Sequence, residues 1–435
     1  MKLFDSYTNQ LQTLDDDQIT IYNCGPTVYN HIHIGNARPL ISMDVLYRYL
    51  LTKNKNVKYV LNITDIDDKI INYALENNLK ELDVSETYFQ AYLKIKKQLN
   101  TLPMFNPKVS EHMDEIINYI ENLLAKDKAY YVNQDIYFDT SSVENYGQLS
   151  KIKIDENING KRVLNVENKR NPNDFILWKI TNKGIVWNSK LGSGRPGWHT
   201  ECSCLINKYL GQQISIHGGG MDLKFPHHEN ENAQNNALYN KNLAKIWLHF
   251  GLVNIENEKM SKSLNNFILM KDLLEKYSYQ AIRWFFYQTK YSQPLNFSDE
   301  TLKQCEHDIK KIQEVLIRIR NKLCLNDVSL EINKLSNFDK FDNEIVNDLN
   351  LANCVKVIFD LLKEANILLK QNDFHQLVNV FEKLNYCLSI FGIEFTNLHT
   401  SENIALLKKW SQLVTDKDYE QADQVRAILI KIGLL

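Results

Sequence analysis

The 435-residue chain reads as an α/β protein, a parallel-sheet domain interrupted by an insertion and followed by a mainly α-helical C-terminal region. Three observations predict this. Short β-rich runs and helical periodicity alternate near the N-terminus in the strand–helix–strand order of a parallel crossover. The pattern breaks off near residue 106 and resumes near 185. From Asp299 onward, apolar residues recur every three or four positions, as in a helical bundle.

Taken in order, Gln18-Ile19-Thr20-Ile21-Tyr22 alternates as a strand and ends at the turn signal Asn23-Cys24-Gly25-Pro26. Asn36 is the expected helix cap and Pro39 is expected in the first turn. Ile41, Val45, Leu46 and Tyr49 then keep helical spacing. Val57 to Thr64 is a second strand, ending at Asp65. Parallel sheets bind ligands beyond the carboxyl ends of their strands, which groups Cys24, His33, Thr64 and Asp65. Residues 106–184 read as an insertion with a charged helix and short β-like pieces such as Ile136-Tyr137-Phe138. Ile214 to His217 is a buried strand running into Gly218-Gly219-Gly220. Three of only fifteen glycines in one turn imply close backbone approach or positive φ. Pro226 is expected to open a helix. Further on, Leu302, Cys305, Ile309, Ile312, Leu316, Ile319 and Leu323 form an apolar seam. Lys303, Lys310, Lys311, Arg318, Arg320 and Lys322 on the same helix suit either a solvated face or a phosphate backbone. Helical stretches follow around 343–370 and 375–391, then two short helices.

Composition narrows the function class. A net charge of −2 excludes a bulk polycation but leaves local nucleic-acid binding open. With 44% hydrophobic and 24% charged residues, the chain is an ordinary globular protein. Seven scattered cysteines are no disulfide framework and point to a reducing cytoplasm. No stretch is apolar over bilayer length, and the N-terminus has no signal-peptide core, so no membrane partner is expected.

Two motifs carry phosphate chemistry. His33-Ile34-Gly35-Asn36 sets a histidine and a flexible glycine at a helix N-terminus, which suits developing negative charge on phosphate. Lys259-Met260-Ser261-Lys262-Ser263 packs two lysines and two hydroxyls into a polar loop able to neutralise a polyphosphate. Each alone is weak: a structural histidine and a surface loop are the bland readings. Together, and in this order, they resemble the two signatures of class I aminoacyl-tRNA synthetases. That resemblance implies a Rossmann-type catalytic domain in which His33 stabilises the α-phosphate region and Lys262 holds the β- and γ-phosphates of ATP, with Mg2+. It also implies ATP contacts from Gly35, Asn36, Lys259, Ser261 and Ser263, and from Gly220 and Asp222 at the ribose. Asn36 departs from the general motif, where a second histidine stands.

A third constellation joins Cys24, Cys202, His227 and Glu231. Two thiolates, an imidazole and a carboxylate make a reasonable tetrahedral zinc set, and His227 and Glu231 at i,i+4 share one helical face. Taken alone, four scattered residues of these types are more often separate structural side chains than metal ligands. Their surroundings, with Gly194-Arg195-Pro196-Gly197-Trp198-His199 and His217-Gly218-Gly219-Gly220, resemble the cysteinyl-tRNA synthetase family. The resemblance implies one zinc at these four residues, reading the substrate thiol and rejecting serine without an editing domain. Glu231 would be the adjustable ligand. Thr64 and Trp198 would contact cysteine, and Cys204 would be structural. Tyr277-Ser278-Tyr279-Gln280-Ala281-Ile282-Arg283 resembles the family's DALR-type helix. The implied partners are L-cysteine, ATP and tRNA(Cys), with a monomeric, cytoplasmic enzyme. The implied division is 1–105 and 185–242 for the catalytic halves and 106–184 for a connective insertion. Residues 243–300 would be the stem-contact region, 301–395 a tRNA-binding bundle and 396–435 a short anticodon-domain remnant.

Three other readings compete. A zinc hydrolase would need histidine where Asn232 stands, and leaves the lysine–serine loop unexplained. A ligase joining cysteine to an amino sugar shares the activation chemistry and lacks need of the long helical region. An inactive RNA-binding paralogue conflicts with intact His33, Lys262 and four metal donors. Tyr291-Ser292 lacks the arginine usual after this tyrosine, a second departure from the family.

Overall fold

A computed structural model describes residues 1–152, 168–256, 258–259, 267–328 and 337–435, with the backbone alone at Lys259. Two compact units are present, Met1–Glu275 with Tyr291–Asn296, and Lys276–Lys290 with Phe297–Leu435.

In the first unit, β1 (Lys2–Asp5) and β2 (Gln10–Thr13) form an antiparallel hairpin. The central sheet is parallel and four-stranded. It contains β3 (Gln18–Asn23), then β4 (Asn56–Leu61) after helix α1 (Ile34–Thr52). Helices α2 (Asp68–Glu76), α3 (Glu81–Gln98) and α4 (Met113–Ala125) follow. Strands β5 (Ala129–Val132), β6 (Asp135–Phe138), β7 (Phe175–Ile180) and β8 (Gly194–Pro196) build a separate antiparallel sheet in that order. This sheet reaches Pro196, beyond residue 184 where the sequence pattern ends the insertion; a three-residue strand carries too little alternation to be read. After α5 (Trp198–Leu210) the central sheet gains β9 (Ile214–Gly220) and, past α6 (Glu229–Tyr239), β10 (Ala244–Phe250).

The central strand order is β10-β9-β3-β4. Chain order reverses between β3 and β9, so their carboxyl ends flank a topological switch point, where open parallel sheets bind ligands. Tyr22 pairs with His217 and Asn23 with Gly218 there. The three glycines do not form a turn. They are the last residues of β9, without positive φ. Close approach explains them: a Cβ on Gly219 would stand 2.6 Å from the His228 ring.

Helix α1 starts at Ile34, capped by His33 rather than by Asn36. Asn36 sits at the third helical position and completes a reciprocal capping box. Pro39 therefore lies inside the helix, not in its first turn. Fully buried Arg38 ties α1 to Gly251 through Nη1, 2.8 Å from the carbonyl oxygen.

The connection onward runs through β11 (Val253–Ile255), β12 (Glu258–Lys259), α7 (Met270–Lys276), α8 (Tyr279–Phe286) and β13 (Leu295–Phe297). The second unit is helical: α9 (Asp299–Leu325), α10 (Asp339–Val346), α11 (Leu351–Gln371), α12 (Phe374–Ile390), α13 (Ser401–Thr415) and α14 (Tyr419–Lys431). All seven residues of the apolar seam on α9 are buried. Lys303, Lys310, Lys311 and Arg318 are exposed, whereas Arg320 lies over the Phe381 ring. Arg283, in the DALR-like segment, is fully buried and donates from Nε to the Phe391 carbonyl at 2.7 Å. Its guanidinium thus holds the bundle together. No helix among the described residues is long and apolar enough to cross a membrane.

Candidate metal centre and nucleotide site

The switch point collects the four predicted metal donors. Cys24 follows β3 directly, and its N–H donates to the Gly218 carbonyl, 3.3 Å away. Cys202 lies in α5, His227 in the irregular turn before α6, and Glu231 in the first turn of α6. One donor atom from each falls within 4.8 Å of all the others. The two sulfurs are 3.8 Å apart. Two thiolates about 2.3 Å from a tetrahedral zinc are separated by about 3.8 Å, so the pair fits that ion. Cys202 Sγ is 3.7 Å from His227 Nε2, and Cys24 Sγ is 3.5 Å from Glu231 Oε1. His227 Nε2 and Glu231 Oε1 are in direct hydrogen-bond contact at 2.7 Å, a bond that an ion between them would replace.

The electrostatics suit a cation. The Cys24 thiol donates to Cys202, holding Cys202 down at about 6 against its burial. Burial pushes the Cys24 thiol up. Burial opposes charge on His227, but Glu231 and Cys202 outweigh it and raise the imidazole to about 10. Burial likewise opposes the Glu231 carboxylate, and His227 with His217 overcomes it, holding the group well below the usual range.

Residues around this set orient it. His217 Nε2 meets Glu231 Oε2 at 2.6 Å, and its ring stacks on Trp247 at 4.6 Å. His199 Nδ1 meets His227 Nδ1 at 3.0 Å. His228 Nε2 lies 3.5 Å from Cys24 Sγ, and its Nδ1 meets His249 Nε2 at 2.9 Å. Cys24, His217, His228 and Glu231 form a second compact set sharing two members with the first. The first set is the better zinc site because it offers two sulfurs to a thiophilic ion. His217 belonged to a recognised sequence block, but nothing in its spacing announced a role toward Glu231. Cys204 is buried in the core, and burial pushes its thiol up to about 12.

Trp198 is 39% exposed and therefore not a core aromatic. It stacks on the His227 ring with centroids 4.2 Å apart. Thr64 is pinned beside the Cys24 turn: its N–H donates to the Pro26 carbonyl, and its own carbonyl accepts from Val28. Asn62, which carries no motif signal of its own, is fully buried and accepts from Gly25 N–H at 2.9 Å.

On the phosphate side, Gly35 N–H donates to His33 Nδ1 at 3.1 Å. Burial lowers the imidazole to about 4, with Asp222 opposing, so it is neutral at pH 7. With Nδ1 accepting, the proton stands on Nε2, leaving a donor for a phosphate oxygen. The first turn of α1 carries no acidic residue that would repel an anion. Asn36 is exposed, with Oδ1 accepting from the His33 backbone N–H at 3.1 Å. Gly35 and Gly220 are half-buried and Asp222 exposed. Ser261, Lys262 and Ser263, together with the Lys259 side chain, lie outside the described residues. The chain that follows is anchored next to His33: Ile34 N–H donates to the Ile268 carbonyl, and the Phe267 ring lies 5.2 Å from the His33 ring.

Comparison with known proteins identifies the family. Residues 10–307 match the family described as the tRNA synthetases class I (C) catalytic domain. The chain is 61% identical over 436 aligned residues to a cysteine–tRNA ligase of Ureaplasma parvum serovar 3, covering all of both chains. It is 48% identical to one from Mycoplasmoides gallisepticum, again over the full length of each. Among solved structures, the Mycobacterium tuberculosis methionyl-tRNA synthetase bound by methionyl-adenylate superposes with a TM-score of 0.62 at 12% identity. That likeness covers 90% of this chain and 93% of the other and concerns the fold.

Proposed function

The chain belongs to the class I tRNA synthetases of the cysteine type and is an ATP-dependent cysteine–tRNA ligase, and on that premise we propose how its site reads the substrates. The reaction converts ATP, L-cysteine and tRNA(Cys) to cysteinyl-tRNA(Cys), AMP and pyrophosphate through a cysteinyl-adenylate. The observation that carries the proposal is the convergence of Cys24, Cys202, His227 and Glu231 at the sheet's switch point.

These four residues would hold one zinc, which supplies a thiophilic position that a thiolate fills far better than a serine hydroxyl. His217 grips the far oxygen of Glu231 and so orients the carboxylate that would be the adjustable zinc ligand. Trp198 covers the His227 side of the pocket, and Thr64 meets the substrate backbone. On the nucleotide side, neutral His33 donates from Nε2 to the α-phosphate region, and Gly35 and Asn36 line the approach at the α1 N-terminus. Gly220 and Asp222 receive the ribose. Lys262 holds the β- and γ-phosphates with Mg2+, flanked by Lys259, Ser261 and Ser263. Activation then depends on positioning and on charge stabilisation as pyrophosphate leaves. The exposed Lys303, Lys310, Lys311 and Arg318 of α9 suit contact with tRNA phosphates. We assign the enzyme to the cytoplasm as a monomer, in keeping with seven free cysteines.

ATP–pyrophosphate exchange with each standard amino acid, followed by charging of total tRNA, tests the proposal. Exchange with cysteine alone and charging of tRNA(Cys) are expected. Exchange driven by another amino acid would overturn the site reading. Transfer to an amino sugar without tRNA charging would favour the related ligase instead.

A further inference from the structure

One buried hydrogen-bond chain beside the metal donors has no part in holding a metal. Asn62 Nδ2 donates to Thr64 Oγ1 at 3.3 Å, and Thr64 Oγ1 donates to Glu201 Oε2 at 3.4 Å. All three side chains are buried, Glu201 at 2% exposure and Asn62 at 0%. The chain spans the two cysteine-bearing elements. Asn62 Oδ1 accepts from the residue after Cys24 and lies 3.8 Å from Cys202 Sγ, while Glu201 directly precedes Cys202.

We infer that Glu201 is a positioning residue that fixes the Thr64 hydroxyl as a hydrogen-bond acceptor for the α-ammonium group of cysteine. This rests on the cysteine reading above. A hydroxyl has one proton and two lone pairs. The Thr64 proton is committed to Glu201 and one lone pair to Asn62, so only an acceptor remains. Glu201 Oε2 accepts that proton as a carboxylate oxygen, and equally as the carbonyl oxygen of the neutral acid when the acid proton is on Oε1. Thr64 cannot drift, because its backbone is stitched to Pro26 and Val28 on either side of Thr27. The acceptor therefore stands at a fixed place next to the thiol-reading donors. Sulfur and nitrogen of cysteine are only three bonds apart, so one small pocket must read both. A site arranged in this way favours cysteine over thiols that lack the ammonium group, because only the ammonium fills the remaining lone pair of the Thr64 oxygen.

The test compares full-length wild type, Glu201→Leu, Glu201→Gln and Thr64→Val. Cysteine KM and kcat come from ATP–pyrophosphate exchange, and the inhibition constant of 3-mercaptopropionate, which lacks the ammonium, from competition. Zinc content is measured alongside. Glu201→Leu should raise the cysteine KM roughly tenfold or more, the scale of one hydrogen bond to a charged group, with a smaller change in kcat. The 3-mercaptopropionate constant and the zinc content should hold. Glu201→Gln, which keeps an acceptor oxygen, should recover most of the loss, and Glu201→Leu should add little to Thr64→Val. Parallel loss of both ligands, loss of zinc, no rescue by glutamine, or additive effects would each overturn the inference and leave the cysteine reading standing. A wild type that does not exchange with cysteine would sink both.

Discussion

Replacing Gly25 with alanine tests whether backbone packing holds Cys24 in place. A Cβ on Gly25 would stand 1.6 Å from the Asn62 carbonyl oxygen, 2.7 Å from its carbonyl carbon and 2.9 Å from Leu61 Cδ2. Ordinary contact begins near ~3.5 Å, so the Cys24 turn and the chain after β4 must part by about 2 Å. The main obstacle is backbone and cannot rotate away. Overpacking a core costs about 1–3 kcal/mol where side chains can adjust, so a backbone collision belongs at or above about 3 kcal/mol. Parting the segments also breaks the Gly25 N–H bond to Asn62 Oδ1, 2.9 Å long. Cys24 Sγ would then shift from Cys202 Sγ by far more than the roughly 0.2 Å that a zinc site tolerates. Zinc stoichiometry and the urea midpoint of the purified variant measure both effects. Zinc should fall well below one per chain and the midpoint should drop. Full zinc with an unchanged midpoint would refute the claim that this glycine positions the ligand.

Other perturbations test separate parts of the account. Lys262→Ala should depress the exchange rate far more than cysteine affinity, because phosphate charge matters most in the transition state; an unchanged rate would reduce the loop to surface. His33, lowered from 6.5 to about 4 by burial, should show no imidazole titration by NMR between pH 5 and 8. The unfolded chain binds that proton below about 6.5 and the folded chain does not, so this contribution to stability is whole above pH 6.5 and declines as pH falls toward 4. A midpoint near 6.5 would contradict the neutral-donor role. Arg283→Leu removes one of two donors to the buried Phe391 carbonyl, leaving the Tyr287 hydroxyl, and should cost about 2 kcal/mol in denaturant unfolding; a change under about 0.5 kcal/mol, the range of ordinary surface substitutions, would contradict its place in the bundle.

Much of this was legible because the residues concerned carry local signals. Strand β3 alternates, the α9 seam keeps its period over the whole helix, and the four candidate metal donors sit in distinctive short blocks. Asparagine is the stronger general cap and so predicts the start of α1 at Asn36, whereas His33 Nδ1 takes that bond and Asn36 completes the box from the third position. Gly218 to Gly220 looked like a turn, yet the need is for room beside the packed His228 ring. Asn62, Glu201 and His217 escaped as functional candidates for one shared reason. Each acts through a partner from a distant segment, and such contacts exist only once β4, α5, β9 and α6 converge.

The central claim is that the substrate thiol is read at a zinc held by Cys24, Cys202, His227 and Glu231. Zinc K-edge X-ray absorption on the purified enzyme, alone and saturated with cysteine or serine, tests it most directly. The account predicts two sulfur ligands in the enzyme alone, a third with cysteine and no change with serine. A sulfur count that stays at two in the presence of saturating cysteine would contradict it.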